Sequence, residues 1–328
     1  METNELTAPF ERMLEGLSSP AQVRTIEATA SLGEMWTEID ASGFLDALVP
    51  ESCGGAGLSL ADVSPLLQAL GRHAVCAPIG ETMIARALLA GEGLDLPSGP
   101  IVLATPVARE AAAVPLAMTA GHVLAQFGAR LVLTPVAQAR VAPTGVHRSL
   151  AANLSWETPP TGPSLAAPAC GLRAVAAVLR AATIAGAADR LLAMTVEYAN
   201  ARVQFGKPIG KLQAVQQQMA VMAEQAVAAR IAAQIGCAGG LPPTTAAAAV
   251  AKQVTSSAAA QIAQIAHAVH GAIGISEEFD LQLYTRRLYE WRLADGSEAY
   301  WAGVLGAERI AQAGGSSLEF VRGLEAAR

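Results

Sequence analysis

Three alanine-rich stretches in the second half of the chain constrain the fold most. Residues 179–198, 212–235 and 244–269 carry apolar side chains at helical spacing. In QAVQQQMAVMAEQAVAARIAAQ the apolar side is built from small residues, which lets neighbouring helices approach closely. Gly239-Gly240-Leu241-Pro242-Pro243 separates the second stretch from the third, and a further helix follows Ser297. Helices of this kind bury their faces against one another, so 166–328 is expected to be a four-helix bundle.

The preceding texture is different. Between 96 and 165, IVLATPV, VLAQF and ARLVLTPV are short apolar runs without helical period, broken by Pro and Gly. They predict the strands of a small β domain, with TPPTGP as its exit. Residues 1–95 read as a helical domain, with helical spacing from 22 to 48 and a break at Val49-Pro50-Glu51-Ser52-Cys53-Gly54-Gly55-Ala56-Gly57. No strand precedes these glycines and no GK[ST] follows, so they form a connection between helices and not a phosphate loop. Ser59 or Asp62 is placed to cap the next helix, which runs to Gly71. The fold class is mostly α, in the order helices, small sheet, helical bundle.

Composition bears on assembly. Of 328 residues, 52% are hydrophobic and only 15% charged, against about a quarter charged in ordinary domains. A chain so poor in charge must bury much of its surface, part of it against other subunits. The net charge of -6 excludes an extended nucleic-acid face. Cys53, Cys76, Cys170 and Cys237 form no CxxC pair or metal-spaced cluster and read as reduced thiols. The acidic METNELTAPFERML start does not read as a signal peptide. The alanine-rich stretches are interrupted short of the ~20 apolar residues of a membrane span. The expectation is a cytoplasmic protein without membrane contact.

The most informative segment is Arg202-Val203-Gln204-Phe205-Gly206-Lys207-Pro208-Ile209-Gly210-Lys211-Leu212-Gln213, at a junction between two helices. An Arg leaving a helix end suits a pyrophosphate, because its planar fork makes paired charge-assisted bonds. A plain interhelical turn with a solvated Arg has the same spacing. RVQFGKPIGKLQAVQ closely resembles the flavin-contacting turn of the acyl-CoA dehydrogenase family. VPESCGGAGLSLADV with LGRHAVCAPIGET resembles that family's N-terminal helical domain, and HAVHGAIGISEEFDLQLYTRR its late glycine turn. The resemblance implies FAD as cofactor, with Arg202, Gln204, Phe205 and Gln213 reaching the flavin of a neighbouring subunit. It implies the same for the backbone at Gly271 and Gly274. Ala268 stands where the family has a Gln, and His267 and His270 flank the turn.

The family's reaction removes a proton from the carbon α to a thioester while a hydride leaves the β carbon for the flavin. Its base is a carboxylate shielded from water. The family places it early in the first bundle helix or near the chain's end. The first position falls here on Ala176, which closes that option. The second falls on Asp295, with Glu298 as fallback; Asp295-Gly296 also reads as an ordinary turn pair. The family's Thr-Glu-Pro stretch, which holds the flavin ring, is reduced here to Thr105-Pro106. The resemblance therefore implies an acyl-CoA substrate, an electron-transfer flavoprotein or similar acceptor, and either a homologous partner subunit or a homo-oligomer. A non-catalytic structural subunit is the rival reading.

Overall fold

The computed structural model describes residues 3–312 and 314–326. The first helices are α1 (Thr3–Leu17), α2 (Pro20–Thr29), α3 (Glu34–Ala41), α4 (Leu60–Arg72) and α5 (Ile79–Gly91). The spacing over 22–48 is not one helix. Ala30 turns left-handed at φ 52° to end α2, and Gly43 at φ 78° leads into a short 3-10 turn. Ser59 caps α4 and Asp62 returns the bond, a reciprocal capping box that satisfies two orphan N–H groups.

Seven strands follow: β1 (Ile101–Ala104), β2 (Glu110–Val114), β3 (His122–Phe127), β4 (Arg130–Pro135), β5 (Arg140–Pro143), β6 (Ala152–Ser155) and β7 (Ser164–Ala166). They form a sheet in the order β1-β3-β4-β7 and another in the order β2-β6-β5. Among the described residues only β1 and β3 pair in parallel. The alternating apolar residues of the two sheets enclose a second, smaller core around Val102, Val123, Ala125, Leu154 and Trp156.

The chain then enters α6 (Gly171–Ala201), a two-residue hairpin of β8 (Val203–Gln204) and β9 (Lys207–Pro208), and α7 (Gln213–Ala238). After these come α8 (Thr245–His270), α9 (Leu281–Leu293), α10 (Glu298–Ala311) and α11 (Ser317–Ala326). The helical stretch at 179–198 belongs to one longer helix that begins at Gly171. By length and hydropathy α6 could cross a membrane, contrary to the reading of interrupted stretches. It is instead the core helix, with 89% of its most apolar window buried inside the fold. Its crossing with α4 is close. A Cβ on Gly71 would stand 1.8 Å from Thr183 O, and one on Gly186 1.8 Å from Gln68 O. These two glycines let α4 and α6 touch backbone to backbone.

The N-terminal helices and the bundle share one apolar core, from Phe10 and Leu67 through Ile184 to Leu288. Charged pairs also join them. Glu27 on α2 is buried between Arg286 and Arg287 of α9, at 2.8 and 2.9 Å. Arg287 also donates to the buried thiol of Cys76 at 2.9 Å. This fixes α9, and the turn that follows it, against the N-terminal half.

Candidate active site

A cavity of about 900 Å³ opens between the β sheets and the end of α9. Leu103, Ala111, Val114 and Val146 line one side, Tyr289 and Leu293 the other. The size and apolar wall suit a ligand at the large end of the usual range. Asp295, in the turn joining α9 to α10, is part of the wall.

That turn is unusual in its backbone. Asp295 is left-handed at φ 58° and Gly296 at φ 102°. A side chain on Gly296 would collide with Trp301, whose Nε1 lies 2.7 Å from the Cβ position. Such conformations persist only when the surroundings hold them. Trp301 Nε1 donates to Asp295 O at 3.0 Å. From below, Lys252 Nζ on α8 donates to Gly296 O and Arg292 O, each at 2.9 Å, and to Ser256 Oγ at 2.8 Å.

The Asp295 carboxylate turns toward α6, where Arg180 Nε lies 3.4 Å from its Oδ2. The other end of the same guanidinium donates to Glu81 of α5 at 2.8 Å. The side chains of Arg180 and Glu81 are only 4% and 6% exposed, that of Asp295 11%. Burial works against the charge on Arg180, but Glu81 and Asp295 outweigh it and raise its pKa. Lys252 is fully buried. Burial pulls its ammonium down to about 7, against the attraction of Asp295. Arg173, at the start of α6, also lines the cavity and lies 5.1 Å over the Tyr300 ring.

The predicted cofactor turn lies elsewhere. Arg173 and Arg202 stand near opposite ends of α6, roughly 40 Å apart at 1.5 Å per residue. The β8–β9 hairpin projects Phe205, 88% exposed and left-handed at φ 52°. Among the described residues the Arg202 guanidinium has no hydrogen-bond or ion-pair partner, and the first turn of α7, opening at Gln213, has no side-chain cap. Gly271, at φ 64°, ends α8, while Gly274 is buried against Leu281 and His270. None of Arg202, Gln204, Phe205, Gln213, Gly271 and Gly274 lines the cavity.

Residues 174–311 match the acyl-CoA dehydrogenase C-terminal domain. The chain is 36% identical to acyl-CoA dehydrogenase IpdE2 of Mycobacterium tuberculosis, over 74% of this chain and 76% of that one. It belongs to the acyl-CoA dehydrogenase family. Among solved structures it resembles a steroid acyl-CoA dehydrogenase, Tcur3481–Tcur3483, at 26% identity. The TM-score is 0.81, covering 95% of this chain and 99% of that one. The ChsE4–ChsE5 complex of M. tuberculosis shares the fold at 20% identity, with a TM-score of 0.79 and 96% and 99% coverage.

The family's cofactor is FAD, and the exposed turn fits it. A free Arg fork, an exposed aromatic ring and an uncapped helix start are what a pyrophosphate and its neighbouring rings need. Ala268 cannot supply the family's Gln contact. Of the flanking histidines, His267 bonds Thr285 at 2.9 Å and His270 is stacked on Tyr198, and each keeps one ring nitrogen without a hydrogen-bond partner. Glu298 is held by Arg292 and does not line the cavity. Ala176 is buried and carries no carboxylate. The sequence reading missed Glu81, Arg180 and Lys252. The signal was present: Arg180 lies within AAVLRAATIAG and Lys252 within AAAVAKQV. A lone charge in an apolar helix is rarely buried without a partner.

Proposed function

We propose that this chain is one subunit of an acyl-CoA dehydrogenase that forms the α,β double bond of a bulky acyl-CoA thioester, with Asp295 as base. The observation that carries this reading is the buried carboxylate in the wall of a cavity of about 900 Å³. When bound, FAD supplies the acceptor for the hydride that leaves the β carbon. The chain itself has three tasks. Its apolar wall excludes water from the acyl group. Asp295 accepts the α proton, and a carboxylate sheltered this way is a competent base. Arg202, Gln204, Phe205, Gln213, Gly271 and Gly274 hold a flavin in a neighbouring subunit.

The distance along α6 supports the need for a second chain. Cofactor turn and cavity lie at opposite ends of one helix, so a partner must bring a complementary half to each. Two similar structures support a heteromer: ChsE4–ChsE5 is a complex of two named chains, and Tcur3481–Tcur3483 is named as a steroid enzyme. Fused rings fit a cavity of this size, and the six alanines among its lining residues leave it wide. Electrons would pass on to an electron-transfer flavoprotein or similar acceptor in the cytoplasm.

The test is turnover by the flavin-loaded assembly that co-purifies from the native host, with ferrocenium as electron acceptor. Butanoyl-CoA, hexadecanoyl-CoA and a fused-ring propanoyl-CoA are compared. The fused-ring thioester should give the highest kcat/KM. Absence of turnover with all three would overturn the reading.

A further inference from the structure

Four ionisable side chains meet beneath the Asp295 turn, each from a different element. Glu81 comes from α5, Arg180 from α6, Lys252 from α8, and Asp295 from the turn itself. All are buried or nearly so, where an unpaired charge would be costly. Only Asp295 of the four lines the cavity. The other three therefore act through it or not at all.

We propose that Arg180, anchored by Glu81, and Lys252 are positioning residues that fix the Asp295 carboxylate at the cavity wall. The proposal rests on the reading of Asp295 as base. Arg180 acts on the side chain. Its guanidinium spans Glu81 Oε1 at 2.8 Å and Asp295 Oδ2 at 3.4 Å, so the N-terminal helices set the direction of the carboxylate. Lys252 acts on the backbone. One ammonium ties Arg292 O, near the end of α9, to Gly296 O, beyond Asp295. The two tethers straddle Asp295 and hold its left-handed conformation. An Asp is one methylene shorter than the family's Glu, so its reach depends more on where the backbone is held.

The arrangement also gives Asp295 a shared counter-ion. Arg180 is shared between Glu81 and Asp295, so its hold on the Asp295 carboxylate depends on Glu81 anchoring the other end of the guanidinium. The other charges facing Lys252 are Asp295, Arg180, Glu298 and Arg292. Burial keeps its ammonium close to losing its proton near neutrality, and a neutral amine has only two N–H donors for three acceptors. One of the three hydrogen bonds donated by Lys252 is then lost as pH rises.

The test is the split between kcat and KM for the fused-ring propanoyl-CoA in the assembled enzyme. Glu81→Gln keeps the hydrogen-bonding shape but weakens the charge-assisted anchor of Arg180, so kcat should fall with KM little changed. Lys252→Met should lower kcat by about 10²-fold, the scale of a 1 Å misplacement, with KM little changed. Arg180→Lys, which keeps the charge but not the two-ended reach, should recover less than half of wild-type kcat. Asp295→Asn is the control. If it retains activity, the base assignment fails and the proposal with it. If Asp295→Asn is inactive while the kcat values of Glu81→Gln and Lys252→Met match wild type, only the positioning role is overturned. Lower thermal midpoints with unchanged kcat would equally mark the cluster as merely structural.

Discussion

Lys252 shows how a single buried residue couples stability to pH. In the unfolded chain its ammonium has its ordinary value near 10.5, and in the fold it is pulled down to about 7. Between these values the unfolded chain binds the extra proton, so stability rises as pH increases from 7. Below 7 the penalty of charging the buried amine is fully present. Near 9 the buried thiols begin to act in the opposite sense, since burial raises Cys76 and pushes Cys237 up to about 11. The clean window is therefore pH 7 to 9. Urea denaturation should show a rising midpoint across it for the wild type, and a flatter dependence for Lys252→Met. Equal slopes would mean that Lys252 titrates normally in the fold. Arg202 makes the opposite case, an exposed residue proposed to act in binding. Arg202→Ala should remove charge-assisted bonds of about 1.5–3 kcal/mol and weaken FAD binding to the assembly roughly 10- to 150-fold. Arg202→Lys should recover only part of this, having lost the planar fork. Flavin titration measures both, and the apo thermal midpoint should shift little for a solvated residue.

At the scale of elements, α6 organises the molecule: it crosses α4, borders the cavity, and leads into the β8–β9 turn. Its contact with α4 depends on Gly71 and Gly186 meeting opposing carbonyls. Gly186→Ala would place a methyl 1.8 Å from Gln68 O, and overpacking of this kind costs about 1–3 kcal/mol or more. A lower urea midpoint, with FAD affinity in the assembled enzyme kept, is the expected result. Long elements of this kind were legible in the sequence, because period and small-residue faces repeat over many residues. So was the capping at Ser59, a purely local device. The break within 22–48 was not, because Ala30 takes a left-handed conformation that its sequence does not announce. The site divided in the same way. Arg202, Phe205 and Gln213 share one contiguous segment. The Glu81–Arg180–Asp295 cluster spans 99 and 115 residues of sequence separation and exists only in the folded chain.

At the scale of the whole molecule, the fold holds a cavity of about 900 Å³ at one end of its core helix and, at the other, the exposed turn proposed to hold a flavin. The ring-holding Thr-Glu-Pro stretch is reduced to Thr105-Pro106, of which Thr105 lines the cavity. The chain purified alone should bind less than one flavin per subunit, and the co-purified assembly should be stoichiometrically yellow. Visible absorbance against protein concentration separates the two, and full flavin occupancy of the isolated chain would favour a homo-oligomer. The central claim, that this chain carries the base of the reaction, has a more direct test. Asp295→Asn is nearly isosteric and cannot accept the α proton. In the flavin-loaded assembly its kcat for the fused-ring propanoyl-CoA should fall at least ~10²-fold, as on losing a general base, with fold and flavin content intact. Near-wild-type turnover by that variant would contradict the account.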